Sequence, residues 1–209
     1  MKNSDRKIEL WKKVEPKLQV ADLILVKEKS LLSKTIRSVT KSYWSHIVIV
    51  LSVPQKDTIF SNVLVVGAEP HGIEVHRIQK YTRDFEFYDL GVKRVPGLSE
   101  EIKEKVLSYI LNNVDIPYDY ARLLGFLFRY FGHKIFLKGN KHLMNSLINK
   151  DAFICSSFIQ RAFYETMSKE KRDAIIFGNN RESKFYLEEI TPADVARSKN
   201  SKWIFNPHN

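Results

Sequence analysis

Short runs of β-branched and apolar residues dominate the first half of the chain. Runs of this kind, separated by polar or glycine-containing stretches, are typical of strands. They are DLILV (22–26), SHIVIVLSV (45–53), VLVVGAE (63–69), GIEVHRI (72–78) and FEFYDLGVKRV (85–95), the last long enough for one or two strands. Two helices are predicted beside them, one at residues 4–14, which Pro16 ends, and one at residues 30–40.

Helical spacing replaces this pattern in the second half of the chain. Ser99, followed by two glutamates, predicts a helix from about 100 to 112, and Pro117 begins a second helical region. A third helix is predicted within FICSSFIQRAFYETM (153–167), and Thr191 opens a fourth with a capping-box pattern. Because strands and helices are segregated along the chain, we predict an α+β fold with a small antiparallel sheet.

The composition is that of a folded domain. Of 209 residues, 44% are apolar and 12% aromatic, which is enough for a sizeable core. No linker separates the two halves, so we predict a single domain over residues 20–209, preceded by an N-terminal helical extension over residues 1–19. No apolar run reaches the ~20 residues of a spanning helix, and the N-terminus lacks the apolar core of a secretory signal. We therefore expect a cytoplasmic protein.

The chain is strongly basic, with a net charge of +10 and a pI near 9.5. A basic surface favours acidic partners such as anionic lipid, anionic wall polymer or nucleic acid, although a solvated lysine-rich surface is the simpler interpretation. The sequence has no Cys/His cluster for zinc, no glycine-rich phosphate loop and no aromatic RNA-binding signature. We therefore expect no metal, no organic cofactor and no nucleic-acid partner.

The only cysteine of the chain, Cys155, lies near the start of the helix predicted within residues 153–167. If the helix begins there, its unpaired N–H groups and positive dipole end would stabilise a thiolate. The backbone N–H of Cys155 would also be placed to serve an oxyanion hole. Free cysteines are among the most buried residue types, so a structural role is the alternative from position alone.

A base for this thiol is predicted at the start of the second strand. His46 precedes the run Ile47 to Val50, which places it at the end of the sheet, where a histidine can also be purely structural. Symmetric pairing of the strands at 46–51 and 63–69, about a loop centred between Asp57 and Thr58, puts Val50 opposite Val65 and His46 opposite Glu69. A carboxylate there would hold the imidazole tautomer. A slip of two residues would instead bring in Gly67 or His71.

The order of these segments resembles a known family. The chain is similar, over about residues 20–200, to the YiiX-like, circularly permuted branch of the NlpC-type papain-fold hydrolases, which are relatives of the lecithin:retinol acyltransferase-like enzymes. The resemblance rests on the ordered set ADLILV, YWSHIVIVL, VVGAEPHGIEVHRI, PYDYARLLGF, FICSSFIQRAF and ITPADVARS. It implies a permuted papain-like fold, with the sheet packed on helices that include the nucleophile helix.

The resemblance also implies an activity and the residues that perform it. It assigns Cys155 as the nucleophile, His46 as the general base and Glu69 as the orienting group of a cysteine hydrolase. Asp22 matches the aspartate of the family's Gly-Asp pair, with an alanine in place of the glycine, and Tyr118 falls in its Tyr-Asp segment; both are candidate substrate-binding residues.

The implied substrates are small peptides, including cell-wall peptides, amino-acid amides or other acyl compounds. Cleavage through an acyl-enzyme would need neither metal nor cofactor. A lipid acyl hydrolase or acyltransferase is the second hypothesis. A non-catalytic basic module that binds anionic lipid, wall polymer or nucleic acid is the third.

The aromatic segment YDYARLLGFLFRYFGHKIFL (118–137) raises a further hypothesis. Its apolar residues surround most of a helix, and Arg122 and Arg129, seven apart, share one stripe. A helix buried against the sheet is the simpler interpretation. The alternative is a wall or lid over the cleft that makes peripheral contact with an anionic membrane.

Overall fold

Strands from both ends of the chain form one antiparallel sheet. The computed structural model describes residues 3–54, 62–69, 72–114, 155–167 and 190–208. In this part of the chain the sheet has six strands in the order β4-β3-β2-β1-β5-β6. They are β1 (Leu23–Glu28), β2 (His46–Ser52), β3 (Leu64–Glu69), β4 (Gly72–Arg77), β5 (Tyr88–Arg94) and β6 (Lys202–Phe205).

Helices flank the sheet, and side-chain caps fix several of their starts. The described helices are α1 (Asn3–Val14), α2 (Leu31–Thr40), α3 (Gln79–Thr82), α4 (Glu100–Leu111), α5 (Cys155–Thr166) and α6 (Pro192–Arg197), with a 3₁₀ turn at Glu15–Lys17. Ser30 caps α2 and Ser99 caps α4, each through its hydroxyl oxygen. Thr191 and Asp194 form the predicted capping box at α6.

The two faces of the sheet bury different partners, as the alternation of side chains along a strand requires. One face packs against α4 and α5. Its core includes Leu25, Ile47, Ile49, Val66, Val106, Phe158, Ile159 and Phe163. The opposite face packs against α1, and its core includes Trp11, Val14, Ile24, Val26, Val48, Val50, Val65 and Tyr81. The predicted α+β class, with an antiparallel sheet packed on the Cys155 helix, is confirmed; the circular permutation stays a prediction.

Helix α5 is anchored by its apolar stripe. Phe158, Ile159, Ala162 and Phe163 are all fully buried, and the helix contacts α4, β2 and β3. Each large side chain of this kind stabilises the folded state by about 1.5–3 kcal/mol. Truncating Phe158 to alanine would cost roughly 3–5 kcal/mol and loosen the element that carries Cys155.

The N-terminal helix is part of the packed structure. Trp11 and Val14 of α1 are buried against the sheet, and Lys7 forms an ion pair with Asp89 on β5. The domain boundary predicted at residue 19 stays a prediction. No helix within the described ranges has the length and apolar character needed to cross a membrane.

A buried lysine ties the C-terminal segment to the sheet. Lys93 of β5 is 1% exposed, and burial lowers its pKa to about 8. Its ammonium group donates to three carbonyl oxygens at the end of α6, those of Val195 at 2.9 Å, Ala196 at 3.0 Å and Ser198 at 2.7 Å. These carbonyls lie at the negative end of the helix dipole, where a cation is favoured.

Candidate active site

The β2–β3 hairpin brings His46 and Glu69 into contact. Val50 pairs with Val65 and Ile49 with Val66, which confirms the predicted register. The irregularity in this pairing lies beyond Val50, toward the hairpin loop, so it does not disturb the end at which His46 stands. Nε2 of His46 lies 3.2 Å from Oε1 of Glu69.

The Glu69 carboxylate is the centre of a buried polar cluster. The Tyr81 hydroxyl donates to Oε1 at 2.5 Å, and the Lys80 ammonium lies 3.0 Å from Oε2. Glu69 is 8% exposed, and burial alone would raise its pKa. The charge and hydrogen bond of His46, the Tyr81 hydroxyl and the Lys80 ammonium outweigh the effect of burial and hold the pKa of Glu69 well below its usual range. Glu69 is therefore a carboxylate that stabilises a positive charge on His46.

Short helix α3 supplies the two residues that sequence reasoning missed. Its position directly after β4 places Lys80 and Tyr81 against Glu69. Lys80 also lies 2.9 Å from Nε2 of His76, which in turn lies 2.9 Å from a Glu74 oxygen. Burial and the Lys80 charge both lower the pKa of His76. His76 is therefore half-buried in a charged network that begins at Glu69.

Cys155 is the first described residue of α5, the helix that packs on the face of Ile47 and Ile49. Side chains alternate between the two faces along a strand, and His46 directly precedes Ile47, so its side chain belongs to the opposite face. There it contacts Glu69 and Tyr81. His46 is the first residue of β2, at the end of the sheet. The contact predicted between the Cys155 thiol and the His46 imidazole stays a prediction.

Asp22 lies away from His46. It is 1% exposed, and both of its oxygens accept hydrogen bonds from Arg94, from Nε at 2.6 Å and from Nη2 at 2.7 Å. Along β1, Asp22 is four residues, or about 13 Å, from Val26, the residue opposite His46. The structure thus shows a buried ion pair at the other end of β1, and the substrate-binding role of Asp22 stays a prediction.

The turn before Asp22 keeps the conformation that a glycine would favour. Ala21 has φ = +69°, in the left-handed region, and is 2% exposed. An alanine thus occupies a backbone conformation that glycine adopts more readily. Tyr118, the segment 118–137 and His71 lie outside the described residues, so the predictions about them are unchanged.

Comparisons with known proteins give a fold. No family model matches the chain, and no curated protein matches it. Among solved structures, the chain is similar to the crystal structure of metalloprotein yiiX from Escherichia coli O157:H7, with a TM-score of 0.56 and 19% identity over 89% of this chain and 96% of that one. The chain shares the fold of YiiX. At this identity the likeness extends to the fold alone.

YiiX is called a metalloprotein, and that description applies to YiiX. Within those ranges, no three side chains from histidine, cysteine, aspartate and glutamate lie together as a metal site requires. The groups that surround Glu69 include an ammonium and a hydroxyl, both of which donate to it. This cluster is suited to orienting an imidazole and not to holding a cation.

Proposed function

We propose that this chain is a cysteine hydrolase that cleaves amide bonds of the peptide type through an acyl-enzyme, with Cys155, His46 and Glu69 as its triad. The contact of 3.2 Å between Nε2 of His46 and the buried Glu69 carboxylate is the observation that supports it most. A carboxylate in this position fixes the imidazole tautomer and stabilises its protonated form. The fold shared with YiiX and the chain order His46, Glu69, Cys155 support the same proposal.

The orientation of His46 assigns a role to each ring nitrogen. Nε2 faces Glu69, so Nδ1 is the atom that takes the proton of the Cys155 thiol. The thiolate sulfur attacks the substrate carbonyl carbon, and the oxyanion accepts hydrogen bonds from backbone N–H groups at the start of α5. Nδ1 then gives its proton to the leaving amine as the C–N bond breaks. Water, deprotonated by Nδ1, attacks the thioester, and the carboxylic acid and the free thiol are released.

The chain's single cysteine makes this proposal directly testable. Alkylation by iodoacetamide at pH 6–8, followed by measurement of the intact protein mass, reports on Cys155 alone. We expect fast alkylation of the native protein and a rate at least about tenfold lower in His46→Ala, because the thiolate loses its imidazolium partner. His76→Ala is the matched control, since it removes a half-buried histidine of the neighbouring network and should leave the rate unchanged.

Two results would contradict the proposal. A thiol that reacts only after denaturation would make Cys155 a core residue, and equal rates in the two histidine variants would separate His46 from it. Turnover of amide, ester and thioester libraries by the purified protein, with Cys155→Ala as the blank, then identifies the acyl bond. Preferential cleavage of esters of long-chain acids would favour the lipid acyl hydrolase over the amidase.

A further inference from the structure

The first turn of α2 exposes two adjacent leucines. Residues 29–34 have the sequence KSLLSK and are called the KSLLSK tip below. Leu31 is 81% exposed and Leu32 is 44% exposed. Ser30 caps α2 by accepting a hydrogen bond from the Ser33 N–H at 3.1 Å, so the leucines stand on an ordered first turn and not on an open loop.

Basic residues flank these leucines along the chain. The stretch 29–41 contains four basic residues and no acidic one. Lys29, Lys34 and Lys41 are exposed, while Arg37 is half-buried. The nearest acidic residue along the chain, Glu28, is half-buried at the end of β1. An apolar pair bracketed by lysines is complementary to a surface that is negatively charged outside and apolar just beneath.

The tip is physically connected to the candidate active site. The hydroxyl oxygens of Ser33 and Ser45 lie 2.7 Å apart, and Ser33 also donates to the Glu28 carbonyl at 2.6 Å. Ser45 directly precedes His46, which pairs across the sheet with Val26 of β1. The tip therefore extends from the same end of the sheet as the His46–Glu69 pair.

We propose that the KSLLSK tip docks this protein on an anionic membrane surface. Leu31 and Leu32 enter the boundary between headgroups and acyl chains, and the flanking lysines contact the anionic headgroups. A second copy of the chain is a poorer occupant, because a symmetric contact through this tip would bring two lysine clusters together. The proposal does not rest on the proposed hydrolase activity, although docking would turn the His46 end of the sheet toward the membrane.

Co-sedimentation with vesicles tests the proposal. The full chain should bind vesicles of phosphatidylcholine and phosphatidylserine, bind phosphatidylcholine alone far less, and lose binding as salt is raised. The double variant Leu31→Ser, Leu32→Ser should bind anionic vesicles about tenfold more weakly, because it removes most of the apolar area that would enter the bilayer. Leu111→Ser is the matched control: Leu111 is 47% exposed on α4, and its loss should leave binding unchanged.

A second variant separates the contribution of the lysine charges to vesicle binding from that of the leucines. Lys29→Ser combined with Lys34→Ser should weaken binding and flatten its salt dependence, while unchanged circular dichroism and thermal midpoint show that the fold is intact. Equal binding by the wild type and the leucine double variant would mean that the net charge acts without the tip, and would overturn the proposal. So would a lack of binding to anionic vesicles, or a dimer in sedimentation velocity that the leucine variant abolishes.

Discussion

Replacement of Glu69 by glutamine tests whether the buried cluster stabilises the fold through charge. The substitution keeps the size of the side chain and one acceptor oxygen. It removes the negative charge that His46, Lys80 and Tyr81 share. It also places an amide N–H₂ group among neighbours that themselves donate, so at least one of them loses its acceptor.

The size of the effect follows from the contacts that are lost. Hydrogen bonds to a charged group contribute about 1.5–3 kcal/mol each, against about 0.5–1.5 kcal/mol between neutral groups. The contact with Tyr81 is the shortest and is buried, so it should lose the most. The Lys80 side chain is 33% exposed, and its ion pair is discounted for screening by solvent. We expect Glu69→Gln to lower the free energy of unfolding by about 2–3 kcal/mol at pH 7.

The pH dependence of the stabilisation by Glu69 gives an independent test. Because the pKa of Glu69 is lowered in the folded state, its stabilisation is complete above the usual glutamate pKa of about 4.3 and is lost as the pH falls toward the folded value. The difference between wild type and Glu69→Gln should therefore still be present at pH 5.5 and shrink below about pH 4.5. Urea unfolding at pH 7, 5.5, 4.5 and 3.5, with the slope m checked for constancy, measures it.

Glu100→Gln is the control for this experiment. Glu100 is 79% exposed and pairs with Lys103 on the surface of α4, so its loss should change stability by less than about 0.5 kcal/mol at any pH. If Glu69→Gln is as mild as Glu100→Gln at pH 7, or if its effect does not shrink in acid, the carboxylate is not the charged centre that the geometry implies.

Two further predictions concern the attachment of α6 and the position of the thiol. Lys93→Met should lower the free energy of unfolding by about 1–3 kcal/mol, because three carbonyls lose their donor; urea unfolding that matches the exposed control Lys202→Met would contradict this. His46→Cys should form a disulfide with Cys155 on mild oxidation if the Cα atoms of the two positions lie within the ~7 Å that a disulfide allows. The control Glu9→Cys, on helix α1 at the opposite face of the sheet from α5, should keep both thiols free. Two free thiols in oxidised His46→Cys would place the two Cα atoms more than about 7 Å apart.

Local rules were enough to predict the His46–Glu69 contact. A hairpin has only a few registers that keep its apolar side chains on the correct faces, and the loop between β2 and β3 selects one of them. Val50 and Val65 thus pair as expected, and Glu69 follows at the end of β3. The capping residues Ser99 and Thr191 were equally readable, because a cap is a contact between residues three apart.

The rest of the site depends on contacts that sequence spacing does not reveal. Helix α3 has four residues, too few for an apolar period, so nothing in the sequence marked Tyr81 as a partner of Glu69. Strand β6 is equally short and joins the edge of the sheet from the C-terminal end of the chain. A lysine in a strand is normally exposed, and contacts with the end of α6 and with Trp203 explain why Lys93 is buried.

The two faces of the sheet limit where the proposed chemistry can occur. Helix α5 packs on the face of Ile47 and Ile49, while the His46 ring belongs to the face of Val48. A histidine in the middle of β2 could not reach α5, because the sheet itself would stand between them. His46 is the first residue of β2, so the contact proposed with Cys155 would form past the end of the sheet. The KSLLSK tip extends from that same end, so a substrate would reach the proposed triad from the side on which we propose that the membrane lies.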